Sequence, residues 1–232
     1  DFGGGVHLYA GITTALFERE KTGLGRIVEV AMQDAIYPVL TSNIASLHRN
    51  NWKQPLRRGN RHPTRGSAPY NVYATKDGFV AIICVQEAHW QSLLGILDRE
   101  DLKDDPRFVN QAVRAENEDF IDNLVTNWTK TVYREEAAVL LKEKRVPAAP
   151  VRNLEEVTSD RHMHQRGMLK RMRHPVMGNV VLPTSPIKFH NSPEPTIIFE
   201  PEIGQHTSEI LEGWLGFNQQ TIKQMRENRV IS

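Results

Sequence analysis

Asp1, Gly3, Gly4 and Gly5 stand directly ahead of an apolar run over residues 6–17, which places a carboxylate and three residues without side chains at the entrance of a helix. That arrangement serves two kinds of chemistry. The partial positive charge at a helix N-terminus favours an aspartate there as a cap, worth about 1 kcal/mol to the helix. The same charge keeps a reactive carboxylate ionised, starting from an ordinary aspartate pKa of ~3.9. Glycines, lacking Cβ atoms, let backbone N–H groups come close to a reacting carbonyl and stabilise its developing oxyanion. The residues by themselves leave the capping and the reacting aspartate both open.

The elements that must position this group are legible next. Over residues 6–17 the apolar side chains fall on nearly every face, the pattern of a helix packed on several sides, and Gly23 supplies a C-terminal cap. After Gly25, the run Ile27, Val28, Val30, Ala31, Met32 predicts a strand covered on both faces in a parallel sheet. Helix followed by strand is a unit of an α/β layer fold. Without neighbouring strands, Ile27, Val28 and Val30 would form an exposed apolar edge. A second helix is expected over residues 33–48, starting or kinking at Pro38.

Residues 49–68 have no regular period and hold Arg49, Lys53, Arg57, Arg58, Arg61 and Arg65 with no acidic residue. The stretch reads either as a solvated linker or as a crossing between domains that offers charge to phosphates. Residues 70–74 and 79–85 predict a hairpin turned at Lys76-Asp77-Gly78. Helices follow over 87–97, 112–128 and 134–144, with a turn at Pro106 between the first two and Trp90 and Trp128 as core anchors of a small α+β unit. Residues 168–173 and 179–182 suggest another hairpin, the proline-rich stretch 183–201 an extended surface segment, and 207–215 and 218–228 two closing helices capped by Thr207 and Asn218.

Several function classes fall away. With 29 Lys and Arg against 28 Asp and Glu, the chain has no global charge to draw it to nucleic acid or a membrane surface. It contains no P-loop, no repeat and no apolar run approaching the ~20 residues of a spanning helix. Cys84, the single cysteine, lies in an apolar run and reads as buried filler; one cysteine cannot staple a fold, which fits a reducing cytoplasm. His162 and His164 beside Arg166 lack a third ligand at a recognised spacing, so no metal site is expected.

The pattern Asp1, Gly5, Gly11, then ALFEREKTGLG and RIVEVAM, resembles the core signature of the family III CoA-transferases of the CaiB/BaiF type, whose superfamily includes the α-methylacyl-CoA racemases. Further similar stretches follow in the family's order: RRGN and HP within 57–63, APYNVYATKDGFVAI over 68–82, DDPRF over 104–108, VPAAPV over 146–151, HMHQRGM over 162–168 and GQHTSEIL over 204–211. The resemblance implies that Asp1 is the nucleophile. It places Gly3, Gly4, Gly5, Arg58, Gly59, Asn60 and His62 near the substrate or CoA, and calls for no metal and no permanently bound cofactor, with acyl-CoA as substrate and a carboxylic acid as acceptor.

It further implies a remnant of a Rossmann-like parallel-sheet large domain over 1–68, ending in the crossing linker. A small α+β domain over 69–152 and a returning linker with C-terminal helices over 153–232 complete the expected organisation, in a homodimer of interlocked chains. The resemblance implies on the order of 150 residues or more ahead of this aspartate in family members, so the chain reads as the C-terminal part of a longer enzyme. The racemase branch, in which the same aspartate exchanges an α-proton, is the enzymatic alternative. A non-catalytic dimerisation module is the other.

Overall fold

The computed structural model describes residues 1–49, 51–53, 57–61, 66–193 and 196–231 of a mixed helix and sheet chain that divides into two compact units, Asp1–Val151 and Arg152–Ser232. The expectation for His62 falls outside the described residues.

The first unit opens with α1 (Phe2–Thr22), which ends at Gly23 in the left-handed conformation, with its N–H donated to the Arg19 carbonyl. The cap is the one the sequence predicts. The start is not: the helix takes in Gly3, Gly4 and Gly5 instead of beginning after them. Gly4 and Gly11 explain part of this, because they lie seven residues apart on one face and serve as packing notches. A Cβ on Gly4 would sit 3.3 Å from Met32 Cγ, and one on Gly11 only 2.8 Å from Val28 Cγ1.

Residues 27–32 do not form the expected strand. A strand exists only through a ladder with a neighbour, and the described sheets take their strands from elsewhere; this segment instead runs irregularly along α1. Ile27 is 98% exposed, the apolar edge anticipated above. Nor is α1 packed on several sides. Only Gly4 is buried on it, while Phe2, Val6, Tyr9, Leu16 and Phe17 face solvent. A 3₁₀ segment (Asp34–Leu40) contains Pro38, and α2 (Thr41–Arg49) starts just after it, with the Thr41 hydroxyl donating to the Pro38 carbonyl at 2.8 Å.

The core of this unit lies in the following residues. Strands β1 (Tyr70–Ala74), β2 (Phe79–Ile83) and β3 (Ala148–Pro150) form an antiparallel sheet in that order, with Ala74 opposite Phe79 across the predicted turn. Against it pack α3 (Glu87–Ile96), α5 (Glu118–Thr129) and α6 (Arg134–Glu143), while α4 (Gln111–Glu116) adjoins α5. Trp90, Leu93 and Leu94 of α3, Ile121 and Val125 of α5 and Leu141 of α6 are fully buried, as the apolar spacing of these helices requires. Trp90 is the anchor the sequence suggests; Trp128 is only partly buried at the margin. The single helix expected over 112–128 is broken at Asn117, whose side-chain amide donates to the Arg107 and Val113 carbonyls. Such competition for backbone acceptors is what asparagine brings to a helix interior.

In the second unit, α7 (Leu154–Thr158) and α8 (Arg161–Gln165) are short helices capped by the Asn153 and Asp160 side chains. Hairpin β4 (Leu169–His174) and β5 (Gly178–Pro183) follows, then extended chain, α9 (Thr207–Gly213) and α10 (Gln219–Glu227). Asn218 caps α10 as predicted, accepting the Thr221 N–H at 2.8 Å, whereas His206 and not Thr207 holds the cap position of α9. Both sheets among the described residues are antiparallel. The parallel sheet expected from the apolar run at 27–32 is not among them.

Candidate functional site

Asp1 occupies the N-cap position of α1, where its carbonyl accepts the Gly5 N–H at 2.8 Å, but its side chain makes no capping hydrogen bond and is exposed. The carboxylate is therefore not spent on capping the helix. The N–H groups of the first turn, Gly3 and Gly4 among them, have no intrahelical acceptor and leave a partial positive charge beside it. Gly5 faces open space, with no atom within 4 Å of where a Cβ would be. Next along the helix, His7 donates its Nδ1 hydrogen to the Gly3 carbonyl at 2.8 Å. A carboxylate oxygen, a row of backbone donors and room for an incoming carbonyl are thus present at one helix end.

The crossing segment carries Arg58, Gly59 and Asn60. Arg58 pairs with Glu118 on α5, and both side chains are largely buried. Arg61 reaches the same helix three times: Nε to Asp122 at 2.7 Å, Nη2 to Asp119 at 2.7 Å and Nη1 to Glu118 at 3.4 Å. Asp122 also accepts the Tyr73 hydroxyl at 2.6 Å and the Asn71 amide at 3.0 Å from β1. Burial, and then the Asp122 charge, pushes the Tyr73 hydroxyl well above the ordinary tyrosine range, so it stays a donor. The segment holding Gly59 and Asn60 is in this way pinned to the sheet and to α5, while these two residues remain exposed, with Gly59 at φ 61°. The glycine end of α1 packs on Met32 and Ile36, whereas the crossing segment packs on α5; the two groups of expected site residues rest on different supports.

Sequence reasoning missed the acidic half of this network. The signal was there in Glu118, Asp119 and Asp122, where 118 and 122 share a helix face. It also missed Arg114, wholly buried, which donates to both Glu87 oxygens at 2.6 and 2.9 Å and to the Phe108 carbonyl at 3.1 Å while lying over Trp90. Cys84 is buried as expected, and burial pushes its thiol up to about 12. Among the described residues no group of three metal-ligating side chains occurs, and His164 directs its Nε2 to the Thr158 carbonyl. No helix of the described residues is long and apolar enough to cross a membrane.

A family model described as CoA-transferase family III matches residues 1–207. The chain belongs to this family. It is 32% identical over 203 residues to a succinyl-CoA:mesaconate CoA-transferase of Haloarcula hispanica, covering 87% of this chain and 50% of the relative. A formyl-CoA:oxalate CoA-transferase of Streptomyces avermitilis is 27% identical over 245 residues, covering the whole chain and 59% of the relative. The crystal structure of a CAIB/BAIF family protein from Brucella suis superposes with a TM-score of 0.72 at 26% identity, over 90% of this chain and 53% of that one. The family III chain thus spans about half the length of the relatives it matches.

Proposed function

We propose that this family III chain carries the nucleophile and acyl-exchange face of an enzyme that moves CoA between carboxylic acids, with Asp1 as the attacking group. The observation that carries the proposal is the position of Asp1 at the N-cap of α1, beside the first-turn N–H groups of Gly3 and Gly4 and without a capping bond from its carboxylate. One Asp1 oxygen attacks the thioester carbonyl of the donor acyl-CoA; the tetrahedral oxyanion collapses, CoA thiolate leaves and a mixed anhydride forms. The thiolate then attacks the Asp1 carbonyl of the anhydride, expels the donor acid as its carboxylate and leaves CoA as a thioester on Asp1. An acceptor carboxylate attacks this aspartyl thioester, releasing the thiolate and forming a second anhydride. Attack of the thiolate on the acceptor's carbonyl yields the new acyl-CoA and the free Asp1 carboxylate. Covalent relay divides one difficult exchange into easier ones. Backbone N–H groups of Gly3 and Gly4 are the donors to the successive oxyanions, with Gly5 leaving their approach open, and Gly59 and Asn60, on the segment anchored through Arg58, belong to the acyl side.

The domain division expected above, 1–68, 69–152 and 153–232, belongs to this reading. The exposed apolar face of α1 and of residues 24–32 supports its assignment to a layer covered by further protein; a Rossmann-like large domain, an interlocked homodimer and a cytoplasmic location complete the reading. The similarity to relatives named for succinyl-CoA:mesaconate and formyl-CoA:oxalate transfer supports transfer between small dicarboxylic or short acids over racemisation. The test follows the acyl group. The chain, and a longer polypeptide with family sequence ahead of Asp1, are incubated with succinyl-CoA or formyl-CoA and a panel of acids. A new thioester formed by the wild type and lost in Asp1→Ala is expected. Deuterium uptake at the α-carbon of a 2-methylacyl-CoA without any transfer would refute it in favour of the racemase.

A further inference from the structure

The basic crossing segment offers charge in sequence, yet two of its arginines are spent on carboxylates of the same chain. The Arg61 N–H donates to the Arg58 carbonyl at 3.3 Å, so residues 58–61 close a turn with Gly59 and Asn60 exposed at its tip. Gly59, at φ 61°, takes the left-handed backbone that the reversal needs. Both ends of this turn are fastened to one helix. Arg58 pairs with Glu118, and Arg61 reaches Glu118, Asp119 and Asp122. These three carboxylates fall within the opening turns of α5, so the anchor is short and built on a single rigid element. The helix is itself fixed: Ile121 and Val125 are fully buried in the core, and Asp122 accepts the Tyr73 hydroxyl of β1 at 2.6 Å.

We infer that Arg58 and Arg61 are positioning residues for the transfer reaction, which hold the Gly59–Asn60 tip in place on the α5 carboxylates, and that they are not ligands of phosphate. The inference rests on the CoA-transfer reading, which puts Gly59 and Asn60 on the acyl side, and adds to it the groups that set the position of that tip. Charge excludes the alternative. Two guanidinium groups meet three carboxylates, so the cluster carries a net charge of 2 − 3 = −1 and repels an anion. Donor geometry agrees. Nε, Nη1 and Nη2 of Arg61 each meet a carboxylate, which leaves no nitrogen of its fork for a phosphate, and the Arg58 side chain is only 5% exposed. Restraint at both ends of one short turn is what a positioned tip requires, because a displacement of about 1 Å at a reacting group costs on the order of 10²-fold in rate.

The two roles predict opposite patterns when the charges are removed one at a time. Transfer from succinyl-CoA or formyl-CoA is measured with this chain and with the longer polypeptide, as wild type, Arg61→Gln, Asp122→Asn and the double variant. Glu87→Gln, which breaks the ion pair with Arg114 elsewhere in the same unit, controls for lost stability. Positioning predicts that Arg61→Gln and Asp122→Asn each lower kcat about tenfold or more and leave KM for the acyl-CoA within about twofold. The double variant should then be no worse than the weaker single by more than about twofold, since both remove one anchor, and Glu87→Gln should keep the wild-type kcat. A KM raised by Arg61→Gln but not by Asp122→Asn would make Arg61 a ligand of the substrate and overturn the inference. A fall in kcat as large for Glu87→Gln would assign the effect to general destabilisation and overturn it too. Hydrogen exchange gives a readout independent of activity: residues 57–61 should exchange several-fold faster in Asp122→Asn than in the wild-type chain, and equal rates would overturn the anchor. If the wild type transfers CoA and both single variants keep its kcat, the positioning inference fails and the CoA-transfer reading stands. If neither wild-type polypeptide transfers CoA, both fail.

Discussion

Replacing Asp122 by Ala isolates the junction that holds the crossing segment. The carboxylate is 13% exposed and takes three donors: the Tyr73 hydroxyl at 2.6 Å, Arg61 Nε at 2.7 Å and the Asn71 amide at 3.0 Å. Truncation orphans them unequally. Tyr73 is 2% exposed, so its hydroxyl has no water to turn to, and an unsatisfied buried donor costs about 1–3 kcal/mol. Arg61 keeps Glu118 and Asp119, and Asn71 keeps the Val72 N–H through its other amide atom, so these two add about 1 kcal/mol between them. The expected loss is about 2–4 kcal/mol, read as a shifted midpoint in urea denaturation followed through tryptophan fluorescence. Tyr73→Phe removes the most deeply buried of the donors, so combining it with Asp122→Ala should recover about 1 kcal/mol or more relative to additivity. A loss within about 0.5 kcal/mol for Asp122→Ala, or strict additivity of the pair, would refute the reasoning.

Other expectations follow from the same geometry. Gly5→Ala adds a Cβ into open space on a helix and should raise stability by up to about 1 kcal/mol while slowing acyl exchange, because the methyl occupies the approach to the first-turn N–H groups. Gly11→Ala drives a Cβ to 2.8 Å from Val28 Cγ1, so overpacking of about 1–3 kcal/mol should outweigh the gain in helix propensity; thermal melts of the two variants moving in the same direction would contradict this. The hydrogen bonds from Arg114 hold the Glu87 carboxyl below its ordinary value of 4.5 against the opposing effect of burial. A lowered folded value means that the stabilisation is present above pH 4.5 and is lost as pH falls through that lowered value. Glu87→Gln should therefore be less stable than wild type at pH 7 and converge with it in acid, and a gap that persists in acid would count against the pair. Cys84, with its thiol raised to about 12, should resist thiol reagents at pH 8 until urea unfolds the chain; rapid labelling of the folded protein would place it at the surface.

What the sequence made legible was local. The Gly23 and Asn218 caps, the Asp77-Gly78 hairpin and the Trp90 face of α3 each depend on residues a few positions apart, and each was read correctly. The misreadings share the opposite cause. Residues 27–32 have the composition of a buried parallel strand, but strand formation is decided by a partner ladder, which no local pattern supplies. Gly3, Gly4 and Gly5 read as lying ahead of the helix because glycine is a poor helix former, yet Gly4 lies in the helix, where its missing side chain admits Met32. In the candidate site the order of residues exposed Asp1 and the basic crossing, and the family signature joined them. The carboxylates that bind Arg58 and Arg61 lie about 60 residues further on, a separation at which charge pairing cannot be read from sequence.

The central claim is the covalent role of Asp1, and intact-protein mass spectrometry with hydroxylamine tests it most directly. The chain, and a longer polypeptide with family sequence ahead of Asp1, are incubated with a panel of acyl-CoAs and the trapping amine, then digested to locate any adduct. The account expects a hydroxamate on Asp1 that requires both acyl-CoA and hydroxylamine and is absent in Asp1→Ala. An unmodified Asp1 in both polypeptides while CoA is still transferred between acids would contradict it, because the exchange would then proceed without an aspartyl intermediate.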